Sequence, residues 1–178
     1  MENERNRRYT RKQGLADLIE VVDGSLEDLP FEDDEFDVVW SHDAMLLSGD
    51  RVRVLKEVAR VLRPRGEFVF ADPMASDGCD SVALRLILDR LRLESMGSPS
   101  FYRRELSKLG LCRIEFDDHT EQLADRCGRV MEETGRCREE IGSRVSESYL
   151  THMEIGLTHW VEGGKAGNLA WGVFHARA

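Results

Sequence analysis

Residues 31–73 read FEDDEFDVVWSHDAMLLSGDRVRVLKEVARVLRPRGEFVFADP. Asp37-Val38-Val39-Trp40 is a short apolar run, of the kind a strand buried on both faces needs. Asp50 or Gly49 opens a helix on which Val52, Leu55, Val58, Ala59 and Leu62 recur at helical spacing. Pro64 stops that helix, Gly66 allows a tight return, and Phe68-Val69-Phe70-Ala71 follows as a second apolar run. The pattern predicts a βαβ unit with parallel strands and a right-handed crossover, hence an α/β fold.

The reading extends in both directions. A charged helix over 2–14 stops at Gly14, and 18–23 (LIEVVD) reads as a strand. The βαβ unit supplies strands over 35–41 and 67–72. Residues 81–95 carry Val82, Leu84, Leu86, Ile87, Leu88, Leu91 and Leu93 on a broad apolar face and predict a well-buried helix. Ser100 caps a helix over 101–109 that Gly110 ends. Residues 112–119 alternate as a strand. Leu123, Cys127, Val130, Met131 and Ile141 mark a long helix; Val145, Tyr149, Leu150, Met153, Leu157, Trp160 and Val161 mark another. Gly142-Ser143 separates the two, and Gly163-Gly164 ends the second. Residues 168–176 form the last strand. Without repeats or low-complexity linkers, the reading is one domain over 1–178, with a lid-like helical insertion at about 120–163 before the last strand.

The chain has 178 residues, 33% of them charged, and a net charge of −9, which argues against a nucleic-acid or acidic-membrane partner. The basic run Arg5, Arg7, Arg8, Arg11 and Lys12 reads as a solvated helix face. No apolar run is long enough to span a membrane, and the first residues do not form a secretory leader. Cys79, Cys112, Cys127 and Cys137 form no CxxC pair. Free thiols, no metal site and a cytoplasmic location are the expectation.

The combination LPF…FDVV…EVARVLRPxG, followed by a strand, resembles the middle of a class I S-adenosylmethionine-dependent methyltransferase. Trp40-Ser41-His42-Asp43-Ala44, Ala71-Asp72-Pro73-Met74, Asp89-Arg90-Leu91 with Met96-Gly97-Ser98, and His159-Trp160-Val161-Glu162-Gly163-Gly164 with Leu169-Ala170-Trp171-Gly172 resemble the sarcosine/dimethylglycine N-methyltransferases. Those enzymes make glycine betaine. The resemblance implies an incomplete Rossmann-like sheet of the family's strands 3, 4, 5, 6 and 7. The glycine-rich cofactor loop would lie before Met1, so the chain reads as the C-terminal part of such an enzyme. A sheet lacking its central strands leaves the edge of 35–41 open to another chain, a route to a homo-oligomer.

Ligands of open parallel sheets bind outside the C-terminal strand ends. After the first strand come Gly24, Ser25 and Leu26, where the resemblance implies an adenine contact; an ordinary polar turn is the alternative. Trp40 and Ser41 stand at the next end, also toward cofactor, with a core tryptophan as the alternative. His42 and Asp43 follow as candidate catalytic residues. Ser-His-Asp in a row is no hydrolase triad, because neighbouring side chains point apart. Asp72, with Met74, caps a turn or attracts a substrate ammonium. Tyr102 and Arg103 stand where the family places substrate contacts, and the arginine suits a carboxylate; an exposed arginine on a helix face is the alternative. Trp171 is a core residue or an aromatic wall for a methylated ammonium. Gly163-Gly164-Lys165 lacks P-loop spacing.

The implied reaction is direct displacement, in which a neutral amine attacks the sulfonium methyl of S-adenosylmethionine. The alternatives are another small-molecule methyltransferase, or a non-catalytic interaction module unable to bind cofactor alone.

Overall fold

The computed structural model describes residues 2–178. Asp50 caps the central helix: its side chain accepts from the Arg53 N–H at 3.0 Å, and α2 runs Arg51–Val61. Val54, Leu55, Val58 and Val61 form its buried stripe. The chain passes directly into β2, Leu62–Ala75, which lies parallel to β1, Phe36–His42, in the register Val39↔Phe68 to His42↔Ala71. This is the expected βαβ unit. β3 (Cys112–Asp118) and β4 (Leu169–Arg177) complete an open four-stranded sheet of order β1-β2-β4-β3, with β4 antiparallel to both its neighbours.

Among the described residues the chain has six further α-helices. They are α1 (Glu2–Lys12), α3 (Ser81–Leu91), α4 (Pro99–Lys108), α5 (Thr120–Arg136), α6 (Arg138–Gly142) and α7 (Glu147–Lys165). Helices α2 and α4 share a core with one sheet face. There Phe70 stacks on Phe174 with ring centroids 4.9 Å apart, Phe116 stacks on the other side of Phe174 at 4.6 Å, and Tyr102 sets its edge on Phe70 at 5.0 Å. A second cluster joins α3, α5 and α7 through Leu84, Ile87, Leu88, Leu123, Trp160 and Leu169.

Several expectations change. Residues 18–23 form no strand: a strand is held by its ladder, and none of the described residues pairs there. Leu18 stands 81% exposed, and Arg7 ties the segment down through the Val21 carbonyl and Asp23. The sheet therefore lacks the family's third strand. β1 is an edge strand with Val38 55% and Trp40 65% exposed, so it is not buried on both faces. Helix α3 is shorter than read and buries only Leu84, Ile87 and Leu88, leaving Val82 and Leu86 in solvent. Ser98, not Ser100, caps α4: its hydroxyl accepts from the Phe101 N–H, and Pro99 opens the first turn. The Ser100 N–H is taken by Asp77 instead. Gly163-Gly164 does not end α7. Both glycines sit inside the helix where it packs tightly: a Cβ would stand 3.2 Å from Ile87 and Leu169 at Gly163, and 3.2 Å from Ala124 at Gly164. The turn falls at Gly167, with φ +74°.

Candidate functional site

The parallel strand β1 ends at His42 beside Ala71, while β2 runs on to Ala75. His42 pairs with Ala71, and the next backbone N–H, that of Asp43, donates to the Ala71 carbonyl at 2.8 Å. Asp43 and Asp72 therefore stand as neighbours on the sheet's C-terminal edge, where open α/β sheets bind ligands. Asp43 takes a left-handed backbone, φ +50°, a conformation that costs a non-glycine residue energy and is common at working sites. One of its oxygens, Oδ2, lies 3.5 Å from His42 Nδ1 near solvent; the other, Oδ1, is buried without a partner.

Asp72 is 1% exposed. Side-chain alternation along β2 puts it on the face of Phe68 and Phe70, toward α4 and the Tyr102 ring. Neither of its oxygens, nor the Tyr102 hydroxyl, has a hydrogen-bond partner of good geometry. Burial first, and the Asp43 charge second, push the Asp72 carboxyl up to about 7. The Arg51 guanidinium, the Leu46 N–H and the Tyr102 hydroxyl offset part of that rise. Burial likewise pushes the Tyr102 phenol above its ordinary value, so it stays protonated.

Arg51 supplies the local positive charge. It is buried, held by the Ser48 carbonyl at 2.9 Å and by the Ser95 carbonyl and hydroxyl at 2.9 and 2.6 Å. Gly97 closes the back: a Cβ there would stand 2.6 Å from the Tyr102 ring, so only glycine lets the ring lie where it does. Sequence reading missed both residues. Arg51 looks like any arginine in a first helical turn, and its partner Ser95 lies 44 residues along the chain. Gly97 carried no local turn signal.

Beside the acids, β1 lines an apolar groove of about 420 Å³ with Leu26, Phe31, Phe36, Val38, Trp40 and Ser41 on its walls. The loop that carries Leu26 is clamped to α2. Glu57 accepts from the Leu29 N–H, and Arg60 donates to the Leu29 and Phe31 carbonyls and pairs with Glu57 and Asp33. Gly24 owes its identity to Pro30, whose ring would sit 2.6 Å from a Cβ. Ser25 closes the following turn through the Glu27 N–H. Trp40, Ser41 and Leu26 thus meet on one groove with His42, while Gly24 and Ser25 shape the loop behind it.

The remaining sequence-predicted residues lie elsewhere. Met74 is wholly buried in the core. Arg103 donates to the Ile114 carbonyl at 2.9 Å and lies over the Phe174 ring. Trp171 is one residue from Gly172, the partner of Asp72, so it turns to the opposite sheet face. There it lines a cleft with α5 residues Leu123, Arg126 and Val130. Among the described residues, no cluster of side chains could hold a metal, and no helix is long and apolar enough to cross a membrane.

The sequence profile of the methyltransferase domain family matches residues 2–70. An open α/β sheet with its polar residues at the C-terminal edge agrees with that match, which spans less than half of the chain. The chain is similar along its whole length to the sarcosine/dimethylglycine N-methyltransferases. It is 54% identical over 178 residues to the glycine/sarcosine/dimethylglycine N-methyltransferase of Actinopolyspora halophila, covering all of this chain and 32% of that protein. It is 51% identical over 176 residues to the sarcosine/dimethylglycine N-methyltransferase of Halorhodospira halochloris, covering 99% of this chain and 63% of that protein. The crystal structure of a putative sarcosine dimethylglycine methyltransferase from Galdieria sulphuraria superposes with a TM-score of 0.94 at 40% identity, covering 98% of this chain and 64% of that one. The chain thus spans less than two thirds of the length of these relatives.

Proposed function

We propose that the protein is an S-adenosylmethionine-dependent N-methyltransferase acting on a small amino acid of the sarcosine/dimethylglycine type, toward glycine betaine. The observation that carries the reading is the likeness, over essentially the whole chain, to enzymes named for that reaction. The site's chemistry supports it: a substrate ammonium needs anionic groups, and two carboxylates stand at the sheet edge.

The groove beside β1 suits the flat purine of the cofactor. The exposed Trp40 indole and Leu26 would hold it by stacking and apolar contact, with Ser41 offering polar groups at the rim. When bound, S-adenosylmethionine supplies a methyl group on a positively charged sulfur. Asp43 meets the substrate ammonium at the groove's end, and His42 beside it orients the carboxylate. Tyr102 and Gly97 shape the wall behind. The helices α5 to α7 stand before the last strand as a lid-like insertion on this domain.

The test is calorimetric titration of S-adenosylmethionine into the protein, with mass spectrometry of sarcosine and dimethylglycine after incubation with cofactor. Mass gains on either amine are expected. Methylation of a phospho-base alone would replace the amino-acid reading with the other small-molecule one. No heat of binding would leave the interaction module.

A further inference from the structure

Among the described residues, five buried side-chain polar atoms have no hydrogen-bond partner of good geometry, and four gather at one place: Asp43 Oδ1, both oxygens of Asp72, and the Tyr102 hydroxyl. Buried polar atoms without well-made hydrogen bonds are few in native structures, so a cluster of them asks for a role. The sheet register sets the two acids side by side, and the Asp43 N–H bond to Ala71 fixes that placement. The Asp43 charge bears on the Asp72 carboxyl, and Asp72 is sealed from water, so a proton taken up by the two acids is held on Asp72. Asp43 has one oxygen toward solvent and one toward the interior, whereas Asp72 is wholly interior.

We propose that Asp43 and Asp72 act as one proton-accepting pair. Asp43, at the mouth, meets the substrate ammonium, and Asp72, behind it, keeps the proton that the ammonium loses. This rests on the N-methyltransferase reading. An amine attacks only through a free lone pair, which an ammonium lacks. The N–H bond breaks, its electrons stay on nitrogen, and the proton goes to a carboxylate oxygen of the pair. After turnover the proton leaves to water through the outward oxygen of Asp43.

The groups facing the pair bias it suitably. Arg51 from α2 and the Leu46 N–H favour the charged form, which keeps the pair able to accept. Tyr102 from α4 stays protonated and serves as a donor. His42 faces only the outer oxygen of Asp43. An acceptor near neutrality is well matched to proton transfer at physiological pH.

Two readouts test the pair in the full chain. In the ligand-free protein, carboxyl-carbon NMR should show Asp43 and Asp72 titrating in two coupled steps, and Asp72→Asn should return Asp43 to a single step. In turnover of dimethylglycine, Asp72→Asn should lower kcat by about 100-fold with KM within about threefold. Its kcat should also keep rising with pH, because the neutral amine then comes only from solution; wild type should level off. Independent titration of the two acids overturns the proposal, as does a loss confined to KM or an unchanged pH profile. Coupled titration in a protein that methylates no amine upholds the pair and overturns the enzyme reading. Should Asp72→Asn not fold, Asp43→Asn carries the same two measurements.

Discussion

Asp72 sits in the fold at an energetic cost that depends on pH. Its carboxyl titrates near 7 in the folded chain against 3.8 for the free group. Between those values the folded chain holds a proton that the unfolded chain has released, so the contribution of Asp72 to stability falls as pH rises through that window. At about 1.4 kcal/mol per pKa unit the effect is on the order of a few kcal/mol. Asp72→Asn removes the titration without changing the shape. The variant is therefore expected to lose less stability than wild type between about pH 4 and pH 7, read from urea unfolding across that range. Gly97 gives a second outcome at this scale. Gly97→Ala puts a methyl 2.6 Å from the Tyr102 ring, and the overpacking should lower the unfolding free energy by about 1–3 kcal/mol.

The helices and strands show what was legible. Asp50 announced α2 by its position before a helical apolar stripe, and its cap bond is there. Asp50→Ala should lower stability by about 1 kcal/mol, measured as a shift of the urea midpoint with unchanged slope. The βαβ unit, α4 and the last strand were readable because each is decided by local pattern. The failures share one cause. Residues 18–23 have a strand's composition, but a ladder needs a neighbour. Gly163-Gly164 has a stop signal's composition, but α7 uses the pair to approach Leu169 and Ala124. The same limit applied at the site. Asp72, read as ending its strand, lies inside β2, which runs on to Ala75, whereas Asp43 could be placed at a strand end from pattern alone, because strand ends are local features. Which side chains crowd them could not: Arg51, Gly97 and Tyr102 arrive from three separate segments. Trp171 also turned away through a register that no single strand reveals.

For the molecule as a whole, the sheet ends openly at β1, with Val38 and Trp40 in solvent. An unpaired edge with apolar side chains invites another strand. Sedimentation should show concentration-dependent self-association, and Val38→Lys should reduce it; an equal monomer fraction in both proteins would remove the edge as the cause.

The segment between α3 and α4 has a further consequence. It is short and irregular, yet Ser95 grips Arg51, Gly97 backs Tyr102, and the Gly97 carbonyl accepts from the Ala75 N–H. One connection thus holds the cation, the phenol and the end of β2 together. Lengthening it by a single residue would leave the sheet and helices intact and disturb the ionic balance at their junction. In a grafting or loop-swapping experiment, this stretch would act as a tuning peg for acidity rather than as a spacer.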